Sequence, residues 1–244
     1  ASIGAGASVG REGPVVHLGA TMASWLGQRL HLGRSSMRTV LGCGIAAAIA
    51  ASFNAPIAGV FFALEVVVGH YALTAFAPIV IAAVAGTIVS RIHFGDFPAF
   101  IIPSHEIASF WEFPAFALLG VLGAGIAIAL MRSIDFVQTI GARAPVPAWL
   151  RPAGAGLLTG IIALGFPQVL GVGYEATDFA LRGEFELWLL IALIAAKIAA
   201  TAICIGGGFG GGVFSPSLVI GALLGAAYGV IATSAFPELS SGTG

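Results

Sequence analysis

Charge is scarce in this sequence. Asp, Glu, Lys and Arg make up 9% of its 244 residues, against about 25% in a soluble domain. That excludes a surface facing mostly water. The net charge is −1, so bulk charge singles out no partner, and no nucleic-acid partner is expected. Cysteine is scarce too: Cys43 and Cys204, both in apolar runs, read as small buried hydrophobes rather than a disulfide framework. There is no H-E-x-x-H, no Ser/His/Asp arrangement and no cluster with metal-ligand spacing. His70, His93 and His105 are scattered. The glycine run "GGGFGGG" at 206–212 lacks the Lys-Ser/Thr of a phosphate-cradling loop. Neither an enzyme, a metal centre nor a cofactor is expected. A signal-peptide pattern and an initiating Met are also lacking. The chain opens on "ASIGAGASVG" and closes on "PELSSGTG", which reads as the middle of a longer membrane protein.

What is present is apolar sequence, 58% of the chain. The runs are 13–28, 39–68, 72–90, 113–131, 153–170, 187–205 and 214–236. A helix crosses the hydrocarbon core in about 20 residues, and in lipid each segment must satisfy its own backbone, so all are expected to be helical. Many are rich in Gly and Ala, as in "GVLGAGIAIAL" at 120–130, and small residues let membrane helices pack closely. The expected fold is an all-α bundle in the bilayer.

The connections sort by charge. Arg29, Arg34 and Arg38 lie between the first two runs, and Arg132, Arg143 and Arg151 lie in 132–151 with Asp135. Connection 91–112 holds Asp96, Glu106 and Glu112 against Arg91, and 175–186 holds Glu175, Asp178, Glu184 and Glu186 against Arg182. Lys and Arg orient membrane chains, so 29–38 and 132–151 are predicted to be cytoplasmic. Run 39–68 must then enter the membrane and return. Its 30 residues are too few for two spans at about 1.5 Å each, so two short, partly embedded helices are expected. Asn54 and Pro56, in "SFNAPIAG", mark the break.

Two stretches match each other. "GREGPVVHLGA" (Gly10–Ala20) and "GVFSPSLVIGA" (Gly212–Ala222) both read G-x-x-x-P-x-x-x-x-G-A, both follow glycine-rich sequence, and both open an apolar helix. Glycine lets backbone approach a ligand closely. Proline in a first helical turn loses no helical hydrogen bond. The remaining first-turn N–H groups and the helix dipole form an anion site without a cation. Paired Gly/Pro-interrupted segments in two halves of a membrane chain point to a transport site near the midplane. Glu12 is then a tethered anion placed where a free one would bind.

"GREGP" and "GVFSP", with "FNAPIAGVFFALE" (Phe53–Glu65) and "GVGYEAT" (Gly171–Thr177), resemble the CLC family of voltage-gated chloride channels and chloride/proton exchangers. The resemblance runs over essentially the whole chain. It implies an inverted-repeat helical fold with re-entrant half-helices, here incomplete, with first-repeat residues about 1–93 and second-repeat residues about 113–244. It implies a multi-pass protein of the cell membrane (plasma or inner), and a homodimer that uses segments 55–67 and 72–90. Glu12 matches the gating glutamate. Arg11, Glu12, Gly13, Gly212, Val213, Phe214 and Ser215 match positions whose main-chain amides line the anion sites, with Pro14 and Pro216 at the helix starts. Chloride or a similar anion is the expected cargo, with protons as the open second partner.

Two departures stand out. The family's G-S-G-I-P motif and its late anion-contacting tyrosine would lie before Ala1 and after Gly244. Exchangers usually carry Glu-Glu at the end of the "FNAP" helix, and here the pair is Glu65-Val66. Valine carries no proton, which favours passive conduction over coupled exchange and leaves both readings open.

Other residues carry weaker signals. Arg11 either adds positive potential or pairs with Glu12. His17 reads as a packed neutral histidine, and Glu65 as a structural acid near a helix end. Lys197, within an apolar span, either snorkels, pairs with an acid or adds positive field. Phe209 reads as packing. Tyr174 reads as an interfacial aromatic.

Overall fold

The structure is a computed structural model that describes residues 2–69, 71–96, 100, 110 and 112–235. His70, His105, Glu106 and the closing "PELSSGTG" lie outside the described residues. No strand forms among the described residues; apart from one isolated pair of bridged residues, the chain is helices and turns. It divides into two compact units, Glu12–Ala99 and Ala1–Arg11 with Phe100–Gly244.

The Glu12–Ala99 unit is built on close backbone approaches. Helix α1 (Glu12–Arg29) folds back on α2 (Arg34–Phe53). The turn between them has His31 in the left-handed region, φ 52°. Gly19 and Gly44 face each other so closely that a Cβ on either would collide with the carbonyl of the other. Helix α2 stops where the sequence breaks. Asn54 is left-handed (φ 52°) and its N–H closes onto the Ala50 carbonyl, and Pro56 opens α3 (Pro56–Phe62). Arg91 Nε donates to Asn54 Oδ1 at 2.8 Å and pairs with Asp96 at 3.1 Å, while Asn54 Nδ2 donates to Asp96 at 3.2 Å. The break is thus braced by a polar cluster.

Helix α3 and the π-helical turn Ala63–Val68 run back along α2, with Gly59 against Ala46 and Ala50 and Val68 near Gly42. Helix α4 (Leu73–Phe94) then runs parallel to α2. Ile79 packs by Gly42, Gly86 by Ala47, and Ser90 Oγ donates to the Ala51 carbonyl at 2.9 Å. The core between them holds Ile45, Ile49, Val60, Leu64 and Ile79. The chain reverses direction at the expected break, but the expectation of two short helices needs correcting. Arg34 and Arg38 belong to α2 rather than to a loop, which makes α2 20 residues long, about 30 Å and enough to cross a bilayer. Arginine is a good helix former, so the helix extends through both.

In the other unit, α5 (Glu112–Arg143) has 32 residues, about 48 Å at 1.5 Å each. It exceeds the roughly 30 Å hydrocarbon core, so the segment expected at 113–131 continues through Arg132, Asp135 and Arg143. The expected connection 132–151 shrinks to 144–150. Helix α6 (Arg151–Gly165) leads through a short turn to α7 (Tyr174–Leu181), then α8 (Leu187–Gly206) and α9 (Phe214–Ala235). The acidic stretch 175–186 thus contains a helix where a connection was expected. Helix α8 packs on α5, α6 and α9, and α7 packs on α9. Gly206 admits Val137 and Gly207 admits Ala155. The Tyr228 hydroxyl donates to the Ala115 carbonyl at 2.9 Å. Among the described residues, α2, α4, α5, α8 and α9 are long and apolar enough to cross a membrane. Both cysteines are free thiols.

The α1–α2 contact gives the first prediction. Gly19→Ala forces two backbones apart and costs about 1–3 kcal/mol. Gly160→Ala, on α6 with open space around it, leaves stability unchanged. Thermal denaturation of the detergent-solubilised full-length protein compares the two; equal melting temperatures would refute the close approach.

Candidate anion site

The two matching motifs meet at their first glycines. Gly10 N–H donates to the Gly212 carbonyl at 2.8 Å, and Gly212 N–H donates back to Gly10 at 2.9 Å. This is one antiparallel bridge between extended residues. The chain next to it is tightly packed: a Cβ on Gly211 would run into the side chain of Val9, itself fully buried. After each bridged glycine one residue intervenes, then a helix begins. Helix α1 opens Glu12-Gly13-Pro14 and α9 opens Phe214-Ser215-Pro216. A first helical turn leaves its N–H groups without intrahelical acceptors. Proline at the third position of each therefore loses nothing.

Four further ties hold the segment before α1. Ser2 Oγ donates to the Gly210 carbonyl. Ser8 Oγ lies 3.3 Å from Thr201 Oγ1, buried. Gly171 N–H donates to the Gly6 carbonyl at 3.0 Å. The Arg11 guanidinium sits over the Tyr174 ring, 4.9 Å from its centre, a cation–π contact.

Tyr174 therefore sits under Arg11 at the start of α7, with Phe100 edge-on at 5.2 Å and its hydroxyl buried. It is not the interfacial aromatic expected. The turn before α7 is held by Lys197. Its ammonium, on a side chain 1% exposed, donates to the carbonyls of Val169 at 2.9 Å and Gly171 at 3.1 Å. Gly173, at φ +91°, passes so close that a Cβ there would lie 3.1 Å from the lysine nitrogen. Lys197 neither snorkels nor pairs with an acid; carbonyl oxygens supply the compensation that a buried charge requires. A lysine inside an apolar run was the signal for this role, but the sequence did not reveal its acceptors.

The motif residues differ in exposure. Glu12 is 7% exposed, Ser215 and Pro216 are buried, and Arg11, Gly13 and Gly212 are half-buried. Val213 and Phe214 are about half exposed, at 46% and 55%, and Pro14 is exposed. Phe214 and Ser217 line an open cavity of about 390 Å³ together with Thr177, Leu181 and Leu218. Phe209 packs with Ala7, Val9 and Cys204, as expected. His17 is exposed rather than packed, because its face of α1 points away from α2, which meets Gly19. Glu65 is also exposed and, among the described residues, makes no contact with backbone or hydroxyl that would fit a structural role. No group of three or more potential metal ligands occurs among the described residues.

The model of the voltage gated chloride channel family matches residues 1–244. A ClcB-like protein of Ralstonia nicotianae is 38% identical over 93% of this chain and 54% of its own length. The H(+)/Cl(-) exchange transporter ClcA of Cronobacter sakazakii is 31% identical over 99% of this chain and 54% of its own. Among solved structures, a slow cyanobacterial Cl⁻/H⁺ antiporter superposes with a TM-score of 0.79 at 25% identity, covering 98% of this chain and 57% of that one. A CLC-type fluoride/proton antiporter superposes with a TM-score of 0.77 at 26% identity, covering 95% and 57%. The chain spans about half the length of these relatives. Its fold is the all-α membrane fold of the CLC antiporters, and it is a multi-pass integral membrane protein. Matched along its whole length, the chain belongs to the voltage gated chloride channel family.

Proposed function

We propose that this chain is the central part of a transporter of chloride or a similar small anion, with Glu12 as its gate. The observation that carries this reading is the reciprocal Gly10–Gly212 pairing. It links two G-x-x-x-P motifs, each of which opens a helix two residues later. Each helix start, taken by itself, offers main-chain amides to an anion: Glu12 and Gly13 at α1, and Val213, Phe214 and Ser215 at α9. Helix-start dipoles favour a negative charge at each, and the Glu12 carboxylate is a tethered competitor at its own helix start. Protonation neutralises it and yields the place to the anion. An intramembrane acid without such a role is costly to keep. The protein works as a homodimer through segments 55–67 and 72–90, where Ile57, Val66, Ile81 and Ile88 present apolar side chains outward.

Two transport modes fit this gate. Val66, which cannot carry a proton, favours passive conduction. The exchange-transporter names of ClcA and of both solved relatives favour coupled anion/proton exchange. The reversal potential of the reconstituted full-length protein separates them. A shift with the proton gradient at fixed chloride supports exchange, and its absence supports a channel.

Glu12→Ala is expected to leave anion flux intact or raised in a chloride efflux assay. Loss of flux in a folded Glu12→Ala protein refutes the gate. Because backbone rather than side chain selects, Phe214→Leu changes flux less than about threefold, while Pro216→Leu, at the start of α9, lowers it about tenfold or more (~1.4 kcal/mol). Equal losses in a chloride efflux assay would assign selection to the phenylalanine ring.

A further inference from the structure

Helices α2 and α4 run parallel, so their N-termini lie at the same end of the Glu12–Ala99 unit. Both starts line one open cavity of about 800 Å³. Arg34 and Arg38, one turn apart on α2, contribute guanidinium groups, and Ser35, Thr39 and Thr74 contribute hydroxyls. Val68 and Ala75 form part of the wall and belong to the apolar core beneath. Among the described residues no carboxylate lines the cavity; the π-helical turn that contributes Val68 also carries Glu65. The first turn of α2 carries no acidic residue. Two arginines at a helix N-terminus have the wrong sign for its dipole. A bound anion relieves that conflict by meeting both guanidinium groups and both helix ends.

We infer that this cavity binds the headgroup of an anionic phospholipid. Three features select a lipid over a free anion. The basic groups stand at the end of helices long enough to span a bilayer, where headgroups lie. The cavity floor continues into apolar core. Exposed Leu30, Tyr71 and Leu73 flank it, a composition suited to the membrane interface. Basic pockets between helices at the cytoplasmic face bind acidic headgroups, and this end is the one whose arginines predict a cytoplasmic position. The inference does not depend on the anion path: the site uses neither Glu12 nor either glycine motif.

The test uses delipidated full-length protein in neutral detergent, titrated with dioctanoyl phosphatidylglycerol, dioctanoyl phosphatidylcholine or inorganic phosphate, and read as a thermal shift. Phosphatidylglycerol is expected to raise the melting temperature at far lower concentration than the other two. Arg34→Gln and Arg38→Gln each weaken that response about fivefold, and the pair about 25-fold. Both side chains are exposed, so the lipid-free melting temperature of the variants stays unchanged, which separates lost binding from lost folding. Equal response to phosphatidylcholine overturns the inference. So does phosphate acting as strongly as phosphatidylglycerol, which would make this a free-anion site, or full phosphatidylglycerol binding by the double variant.

Discussion

Two main-chain hydrogen bonds join the first glycines of the two duplicated motifs, Gly10 and Gly212. They join residues 202 positions apart in sequence, and each stands immediately before a helix-opening motif. Beside the pairing the chain passes closely, since a Cβ on Gly211 would meet the Val9 side chain. Their effect is to fix backbone rather than to supply charge. In a chain with so little charge to spend, an anion site made from amides and helix dipoles is the arrangement consistent with the composition.

The ties around that pairing are similarly economical. Lys197 is buried in a span, and it is compensated by the carbonyls of Val169 and Gly171 rather than by a carboxylate. Those carbonyls belong to the turn that starts α7. The same turn carries Gly171, which hydrogen-bonds Gly6, and Tyr174, which underlies Arg11. A continuous set of contacts thus runs from α8 through the α7 turn to the segment bearing the first motif. It gives Arg11 a structural partner on an aromatic face.

How much of this was legible in the sequence depended on whether the cause was local. The α2–α3 break was readable because Asn54 and Pro56 act on their own neighbours. The duplicated helix starts were readable because Gly and Pro have fixed backbone consequences. The helix ends were not: charge was taken to mark connections, yet Arg34, Arg38, Arg132 and Arg143 are good helix formers and lie within helices. Helix α7 was missed for the same reason, since acidic residues suit a helical first turn. The partners of Lys197 and Tyr174 come from distant segments, so spacing could not reveal them. His17 was misjudged because a histidine in an apolar run was assigned inward, and only the packing shows which face it occupies; Glu65, expected to be structural near a helix end, is exposed.

The central proposal is that main-chain amides at a helix start, rather than cationic side chains, hold a small anion, with α1 and α9 each offering such a start. Its most direct test is anomalous diffraction from crystals of the full-length protein grown in bromide. The account predicts bromide beside the first-turn amides of Glu12 and Gly13 or of Phe214 and Ser215, with no lysine or arginine head group in contact. Bromide bound only by basic side chains, away from both helix starts, would contradict it.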